Sequence, residues 1–373
     1  MRTVSLSEIN HYSGNTVNPL RFPDEQFELY SVPSYDNQYP EIIKGADIGS
    51  SKVTVEAGDV LICKINPRIN RVWVVSHNTP HQLLASSEWI IVRSPENNAD
   101  YLRHYFKSAR FQTMMVSQVT GIGGSLTRAQ PKQVATYPVP LPDRETQNRI
   151  ADIFNHIEQL VDMRKEQFAT LDELVKSRFV EMFGDPITNP KDFPCYTVGD
   201  VIDFQGGNQP DKKYFEYVPT QDNIRLIQIR DYKSDKYITY IPRAMAKRFC
   251  TADDIMIGRY GPPIFQILKG IEGSFNVALM KATPKMGNRE FVRQFLKQDC
   301  LLEYLEGLSK RTAGQDGIQM DKLKAYPFPY PPIELQNQFA AFVEQIDKSK
   351  LAVKKSLEEL EMLKKSLMQK YFG

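Results

Sequence analysis

Only four cysteines occur in 373 residues, Cys63, Cys195, Cys250 and Cys300, and none has a partner at zinc-ligand spacing. That excludes a disulfide-stapled scaffold and leaves the expectation of reduced thiols in a cytoplasmic protein. No apolar run approaches the ~18–20 residues that cross a bilayer, and the chain does not open on a signal-peptide pattern. Charge of one sign is also missing. The formal net charge is +2, so bulk charge alone announces no polyanionic partner.

Catalytic motifs are equally scarce. There is no Walker-type phosphate loop, and Gly121-Ile-Gly-Gly follows a helical stretch rather than the strand a dinucleotide fingerprint needs. The Asn- or Asp-Pro-Pro-aromatic tetrad of amino-methyltransferases is absent; Gly261-Pro-Pro-Ile and Asp185-Pro-Ile-Thr do not match it. His77 and His81 straddle Pro80, which disfavours the shared helix face that a metal pair would use. The expectation is a chain without catalysis, resident cofactor or metal.

What the sequence does have is a repeat. Tyr137–Gly184 recurs as Tyr326–Gly373 at a constant offset of 189, without a gap over 48 positions. Tyr-Pro-Val-Pro-Leu-Pro (137–142) answers to Tyr-Pro-Phe-Pro-Tyr-Pro (326–331), and Gln147-Asn148 to Gln336-Asn337. Alternating prolines predict an extended, polyproline-like lead-in, and Asp143 with Glu145 predicts a capped helix start. Gly184 followed by Pro186 predicts its stop.

Between those signals Phe154, Ile157, Val161, Arg164, Phe168, Leu171, Val175, Arg178 and Met182 step by three and four. The second copy gives Val343, Ile346, Lys350, Val353, Leu357, Leu360, Lys364, Leu367 and Tyr371. Such a seam over about four heptads predicts a coiled coil of ~37-residue helices, each roughly 55 Å long. A two-fold between the copies makes the pair antiparallel, with the preceding domains at opposite ends, although heptads alone also permit parallel pairing between chains.

The stretches ahead of each lead-in repeat more loosely. In 1–136, Thr3–Ile9 reads as a short strand or helical turn, Val53–Val55 and Gly58–Ile65 as strands about a turn at Ala57-Gly58, and 71–75 and 88–93 as further strands. A helix over 99–108 capped near Asn98 leads into a Gly-rich loop at 120–128. Residues 185–325 repeat the order, with Asp254 and Arg259 at the positions of Asp59 and Lys64. The two Asp are expected to be turn residues. The fold class is thus α+β: domains at 1–136 and 185–325, each followed by a lead-in and spacer helix at 137–184 and 326–373, in a pseudo-two-fold repeat. Basic residues are segregated, since no Asp or Glu occurs from Val60 to Ser87 or from Tyr101 to Pro142, the footprint of a phosphate-binding face.

The doubled Tyr-Pro-x-Pro-x-Pro lead-ins running into Glu145-Thr-Gln-Asn and Glu334-Leu-Gln-Asn, with the long helices and two variable domains, resemble the specificity subunit of type I restriction–modification systems over essentially the whole chain. Gly206-Gly-Asn-Gln-Pro also resembles the Gly-Gly-x-Pro segment of that family's recognition domains. The first domain lacks it, which points to two recognition subfamilies reading different sequences. The resemblance implies double-stranded DNA as ligand, each domain reading half of a split site. It implies helices that set the spacing and dock two modification subunits carrying S-adenosylmethionine, and two restriction subunits with ATP-driven translocase and nuclease activity. Heads on a rod of roughly 55 Å can meet DNA about one to one and a half turns apart.

Candidate DNA contacts are Lys64, Asn66, Arg68, Asn70 and Arg71 after a strand of the first domain. Their counterparts in the second are Asn208, Gln209, Lys212, Lys213, Arg259 and Tyr260, and Arg128, Lys310, Arg311 and Gln315 flank the Gly loops. Arg suits guanine, and Asn or Gln suits adenine. The alternative is a coiled-coil scaffold whose ends bind proteins, without DNA specificity.

Overall fold

The computed structural model describes residues 2–117, 119–120, 127–260, 264–309 and 318–373. The chain forms two compact units, Met1–Glu166 with Lys354–Gly373, and Gln167–Val353. The expected Gly loop at 120–128 and its counterpart at 312–319 fall largely outside the described residues.

In unit 1, β1 (Arg2–Ser5) leads into α1 (Leu6–Ile9), so the opening segment is both strand and helical turn. The strands β2 (Thr16–Val17), β3 (Gln26–Tyr30), β4 (Glu41–Lys44), β5 (Lys52–Thr54), β6 (Val60–Cys63), β7 (Val72–Val74), β8 (Gln82–Ala85) and β9 (Trp89–Val92) form two sheets. One has the order β2-β5-β8-β3-β4, with β3 and β8 parallel, and the other the order β7-β6-β9. Gly58 turns the chain between β5 and β6 at φ +90°, a conformation most side chains resist. Helix α2 (Ala99–Phe106) is capped by Asn98, whose side chain accepts from the Tyr101 N–H. Then come α3 (Ala109–Ser117), the hairpin β10 (Val119–Thr120) and β11 (Arg128–Ala129), α4 (Pro131–Val134), β12 (Pro138–Leu141) and the 40-residue α5 (Arg144–Phe183).

Unit 2 repeats this. It contains β13 (Cys195–Thr197), α6 (Val198–Val201), β14 (Ile202–Gly206), β15 (Asn223–Ile227), β16 (Tyr240–Pro242), β17 (Phe249–Cys250), β18 (Ile255–Gly258), β19 (Gln266–Lys269), β20 (Gly273–Phe275) and β21 (Leu279–Pro284). After them run α7 (Arg289–Leu296), α8 (Asp299–Ser309), α9 (Met320–Ala325), β22 (Pro327–Pro329) and the 40-residue α10 (Ile333–Phe372). The order β17-β20-β15-β16 reproduces β5-β8-β3-β4, including the parallel central pair. The sheet β14-β21-β18-β19 matches β9-β6-β7 with β14 added at its edge. In unit 1 Asn10 fills that edge with side-chain bonds instead, donating to the Ile91 carbonyl and accepting from the Arg93 N–H.

The proline lead-ins differ from a free polyproline segment. Each is a strand paired antiparallel with the first strand of its own domain, β12 with β1 and β22 with β13. Pro138 and Pro140 have no N–H, so donation to β1 falls to the residues between and after them. Asp143 caps α5 by accepting from the Thr146 N–H at 2.8 Å. Gly184 ends α5 at φ +78°, where a Cβ would also stand 2.5 Å from Pro190.

The repeated Gln-Asn pair has a structural meaning. Gln147 donates to the Pro142 carbonyl and accepts from the Asn98 N–H, while Asn148 accepts from the Asn98 amide. Gln336 does the same with Pro331 and Asn288, and Asn337 with the Asn288 amide. Each lead-in, spacer helix and domain-helix cap is thereby fixed at one junction.

Within unit 1 the start of α5 packs antiparallel on the end of α10: Phe154 stacks on Phe372, and Glu158 accepts from Lys364. Within unit 2 the end of α5 packs antiparallel on the start of α10, with Phe179 and Phe183 edge-on to Phe339 and Asp172 accepting from Lys350. The seam residues of both helices are buried or half-buried, including Phe154, Ile157, Val175, Val343, Ile346 and Val353 in the cores and Val161, Phe168, Leu171, Leu357, Leu360 and Leu367 at their margins.

Each domain helix is also clamped to a spacer helix through charge. Arg103 on α2 bridges Asp100 and Glu158, and its counterpart Arg293 on α7 bridges Glu290 and Asp347. Burial opposes the Glu158 charge, yet Arg103, Lys364 and His104 together hold its carboxyl down at about 2. Next to Arg103 stands His104, fully buried; burial, with Arg103, pushes it down to about 4 although Glu158, Asn155 and Asp100 favour its proton. At the matching position unit 2 has Gln294, which cannot titrate.

The unfolded chain takes up the His104 proton near its ordinary value, 6.5, and the native one only near 4. Stability therefore falls as pH drops through that window, by up to ~3 kcal/mol at about 1.4 kcal/mol per pH unit. Glu158 extends the loss below pH 4.5. His104→Gln is expected to flatten the stability profile of unit 1 between pH 6.5 and 4; denaturant titrations at pH 7, 5.5 and 4.5 test it, and an unchanged slope refutes it.

Candidate nucleic-acid interface

Within each unit, part of the candidate set gathers where neighbouring strands end. In unit 1 the segment after β6 is stitched between two neighbours. The Lys64 N–H donates to the Glu88 carbonyl at 3.0 Å, the Ala129 N–H donates to the Lys64 carbonyl at 2.8 Å, and the Asn66 N–H donates to the Thr127 carbonyl at 2.8 Å. Arg128 is exposed and pairs with Glu88 at 3.0 Å; Arg71 lies 3.6 Å from Asp36. Lys64, Asn66, Arg71 and Arg128 thus belong to one cluster.

Asn66 and Asn70 shape this surface. Both are left-handed, at φ +48° and +35°, and they bracket the 3-10 turn Pro67–Ile69. Asn70 gives its amide to the Lys107 carbonyl at 3.0 Å, so its side chain holds the turn. The turn leaves Arg68 and Ile69 exposed at its tip. Around it, buried Asn66 Oδ1, Arg71 Nε, Glu88 Oε2 and Thr127 Oγ1 have no hydrogen-bond partner among the described residues.

In unit 2 the same end is built from Gly206–Asn208, Gln228–Arg230, Arg259-Tyr260 and Asn276–Ala278. The Asn208 N–H donates to the Phe275 carbonyl, the Asn276 N–H to the Ile227 carbonyl, and the Arg259 N–H to the Ala278 carbonyl. The Gly-Gly pair has a steric reason: a Cβ on Gly207 would stand 2.0 Å from the Asn276 carbonyl oxygen. Gln209 is exposed, with its amide on its neighbour Pro210. Lys212 and Lys213 are exposed on a 3-10 turn, Lys213 3.5 Å from Asp211 and over the Tyr214 ring. Tyr260 is exposed beneath the Arg259 guanidinium, 5.3 Å from its ring centre. Lys310, Arg311 and Gln315 lie outside the described residues.

Sequence reasoning missed Arg230, Asn276 and Val277, which share this surface through β15 and β20, strands without a clear alternating signature. Glu88 and Thr127 were missed for another reason: each enters the cluster through a backbone carbonyl, and the Glu88 carboxylate, which also pairs with Arg128, is not a group that suggests a phosphate contact. Asp59 and Asp254 are turn residues that accept the N–H three positions back, and Asp59 also takes both forks of Arg93 at 2.8 and 2.7 Å. Among the described residues no His, Cys, Asp and Glu cluster could hold a metal ion, no helix is long and apolar enough to cross a membrane, and all four cysteines are free.

Comparison with known proteins meets this geometry. Residues 190–362 match the family described as the type I restriction modification DNA specificity domain. The chain is 23% identical over 364 residues, covering 88% of it and 80% of the relative, to a putative type I restriction enzyme MjaX specificity subunit of Methanocaldococcus jannaschii. It is 22% identical over 382 residues to the MjaVIII specificity subunit of the same organism, covering 94% and 87%. The fold matches a chain from a structural study of complex assembly and conformational transition of the type I R-M system, with TM-score 0.60, 18% identity and 100% and 97% coverage. It also matches the S subunit of a type I restriction-modification system of M. genitalium, with TM-score 0.56, 12% identity and 100% and 96% coverage. Residues 190–362 thus carry a type I restriction–modification DNA specificity domain, and the chain as a whole, with its doubled lead-ins and two like domains, is similar to the specificity subunits of such systems.

Proposed function

We propose that each unit reads one half of a split, asymmetric DNA site, through the strand-end surface just described. The observation that carries this reading is the repetition of one polar, cationic surface on two equivalent domains with different side chains, Lys64 to Arg71 with Arg128 in one and Asn208, Gln209, Arg259 and Tyr260 in the other. Identical heads would call for a palindrome; unlike heads call for unlike half-sites. Phosphate contacts position each head and base edges specify.

The chain itself acts without catalysis or cofactor. Modification subunits bring S-adenosylmethionine and the methyl-transfer site, and restriction subunits bring ATP-driven translocation and cleavage. A docking surface for the modification subunits is available on the spacer helices of each unit. In unit 1 Ile153, Ile157, Leu363 and Leu367 line an open groove. At the offset of 189 unit 2 presents Phe342, Ile346, Leu174 and Arg178, with Leu363 and Leu174 both exposed. Equivalent helix positions in both units, with Arg178 in place of Leu367, support two docked subunits. The location in the cytoplasm follows from the same role.

Methylation mapping of the genome, with and without this gene beside its modification partner, tests the reading. A split asymmetric motif that disappears on deletion is expected. Methylation that persists unchanged refutes it. Binding of the complex to a duplex bearing that motif should also weaken steeply between 50 and 200 mM salt, because neutralised phosphates release counterions.

A further inference from the structure

On the reading that unit 2 recognises a half-site, we propose that Arg259 reads a guanine in the major groove and so fixes one G·C pair of that half-site. Three features set it apart from the other cations of the surface.

First, it is held without being neutralised. One Nη1 donor contacts the Val277 carbonyl at 3.4 Å and the guanidinium lies over Tyr260. Among the described residues no carboxylate stands within 4.0 Å of it, whereas Arg128 is paired with Glu88, Arg71 with Asp36 and Lys213 with Asp211. Nε and Nη2, the parallel donors that match O6 and N7 of guanine, have no partner among the described residues.

Second, the wall beside it is low. Gly206 faces the guanidinium; a Cβ there would come to 4.0 Å from Nη1. Gly207 presses its backbone against Asn276, which draws the loop down beside the arginine. A base edge can thus approach the fork without displacing a side chain from that segment.

Third, the matching residue of the other domain is Lys64. Lysine offers a point charge, arginine a planar fork, so the same position is suited to phosphate contact in unit 1 and to base reading in unit 2.

The test uses the complete complex expressed with its modification partner, carrying Arg259→Lys or Arg259→Ala, with the methylome as readout. Thermal unfolding of the purified chains checks that both variants fold; Arg259→Lys retains charge and length at a half-exposed position. Expected for both variants is loss of discrimination at one position of one half-site, by ~10-fold or more, with the other half-site and spacer intact. A uniform fall at every site, rescued by Arg259→Lys, identifies a phosphate contact and overturns the proposal, as does an unchanged motif. A wild-type complex that yields no split motif overturns the DNA-reading assignment beneath it, before any variant is compared.

Discussion

Seven residues added to each long helix, after Leu171 and after Leu360, are expected to give a modified site with both halves unchanged and a spacer longer by up to ~3 base pairs. Each insert lengthens its helix by ~10 Å, and B-DNA rises about 3.4 Å per pair. A heptad is the unit that keeps the seam in phase, so Phe168, Leu171, Leu357 and Leu360 stay on the packed side. The paired bonds Glu158–Lys364 and Asp172–Lys350 both survive, because the distance between them grows equally on the two helices. Methylome mapping reads the outcome. A retained motif with an unaltered spacer would sink the idea that helix length measures DNA.

The second large effect concerns Phe372. It is almost wholly buried in unit 1, stacked on Phe154 and within 6 Å of the rings of Tyr101 and Tyr105. Phe372→Ala leaves a cavity among aromatic rings and is expected to cost about 3–5 kcal/mol. Amide exchange of α2 should then speed up by roughly two to four orders of magnitude while α7 in unit 2 keeps its protection. Phe183→Ala should give the reverse, since Phe183 packs on Phe291 and Phe339. Equal loosening of both units by either change would contradict the assignment of one aromatic terminus to each unit.

How much could be read beforehand follows from where the information sits. The spacer helices were legible because caps, seam and stop are local signals repeated at one offset, and α5 and α10 run 40 residues each against about 37 expected. The lead-ins were read as extended and polyproline-like; their pairing with β1 and β13 was not legible, because it links residues more than a hundred positions apart. The parallel pairs β3–β8 and β15–β20 were also invisible, because each joins strands separated by intervening strands, with partners such as Phe27 and Gln82 or Leu226 and Ser274. At the candidate interface, Lys64, Arg259 and Asn208 could be found from charge and repeat alignment. Whether an asparagine presents its amide or shapes the backbone could not. Asn70 does the latter, and only its φ and its bond to Lys107 reveal it.

The interleaving of the chain has a consequence for biosynthesis. Unit 2 is one continuous segment, Gln167–Val353, whereas unit 1 needs Lys354–Gly373 to complete it. On the ribosome, unit 2 has all its residues before unit 1 does, although unit 1 is begun first. At ~5–20 residues per second the nascent first domain waits on the order of 10–40 s for the helix end that covers Tyr101 and Tyr105. During that interval its aromatic face is open to chaperones, or to the helix end of another nascent chain.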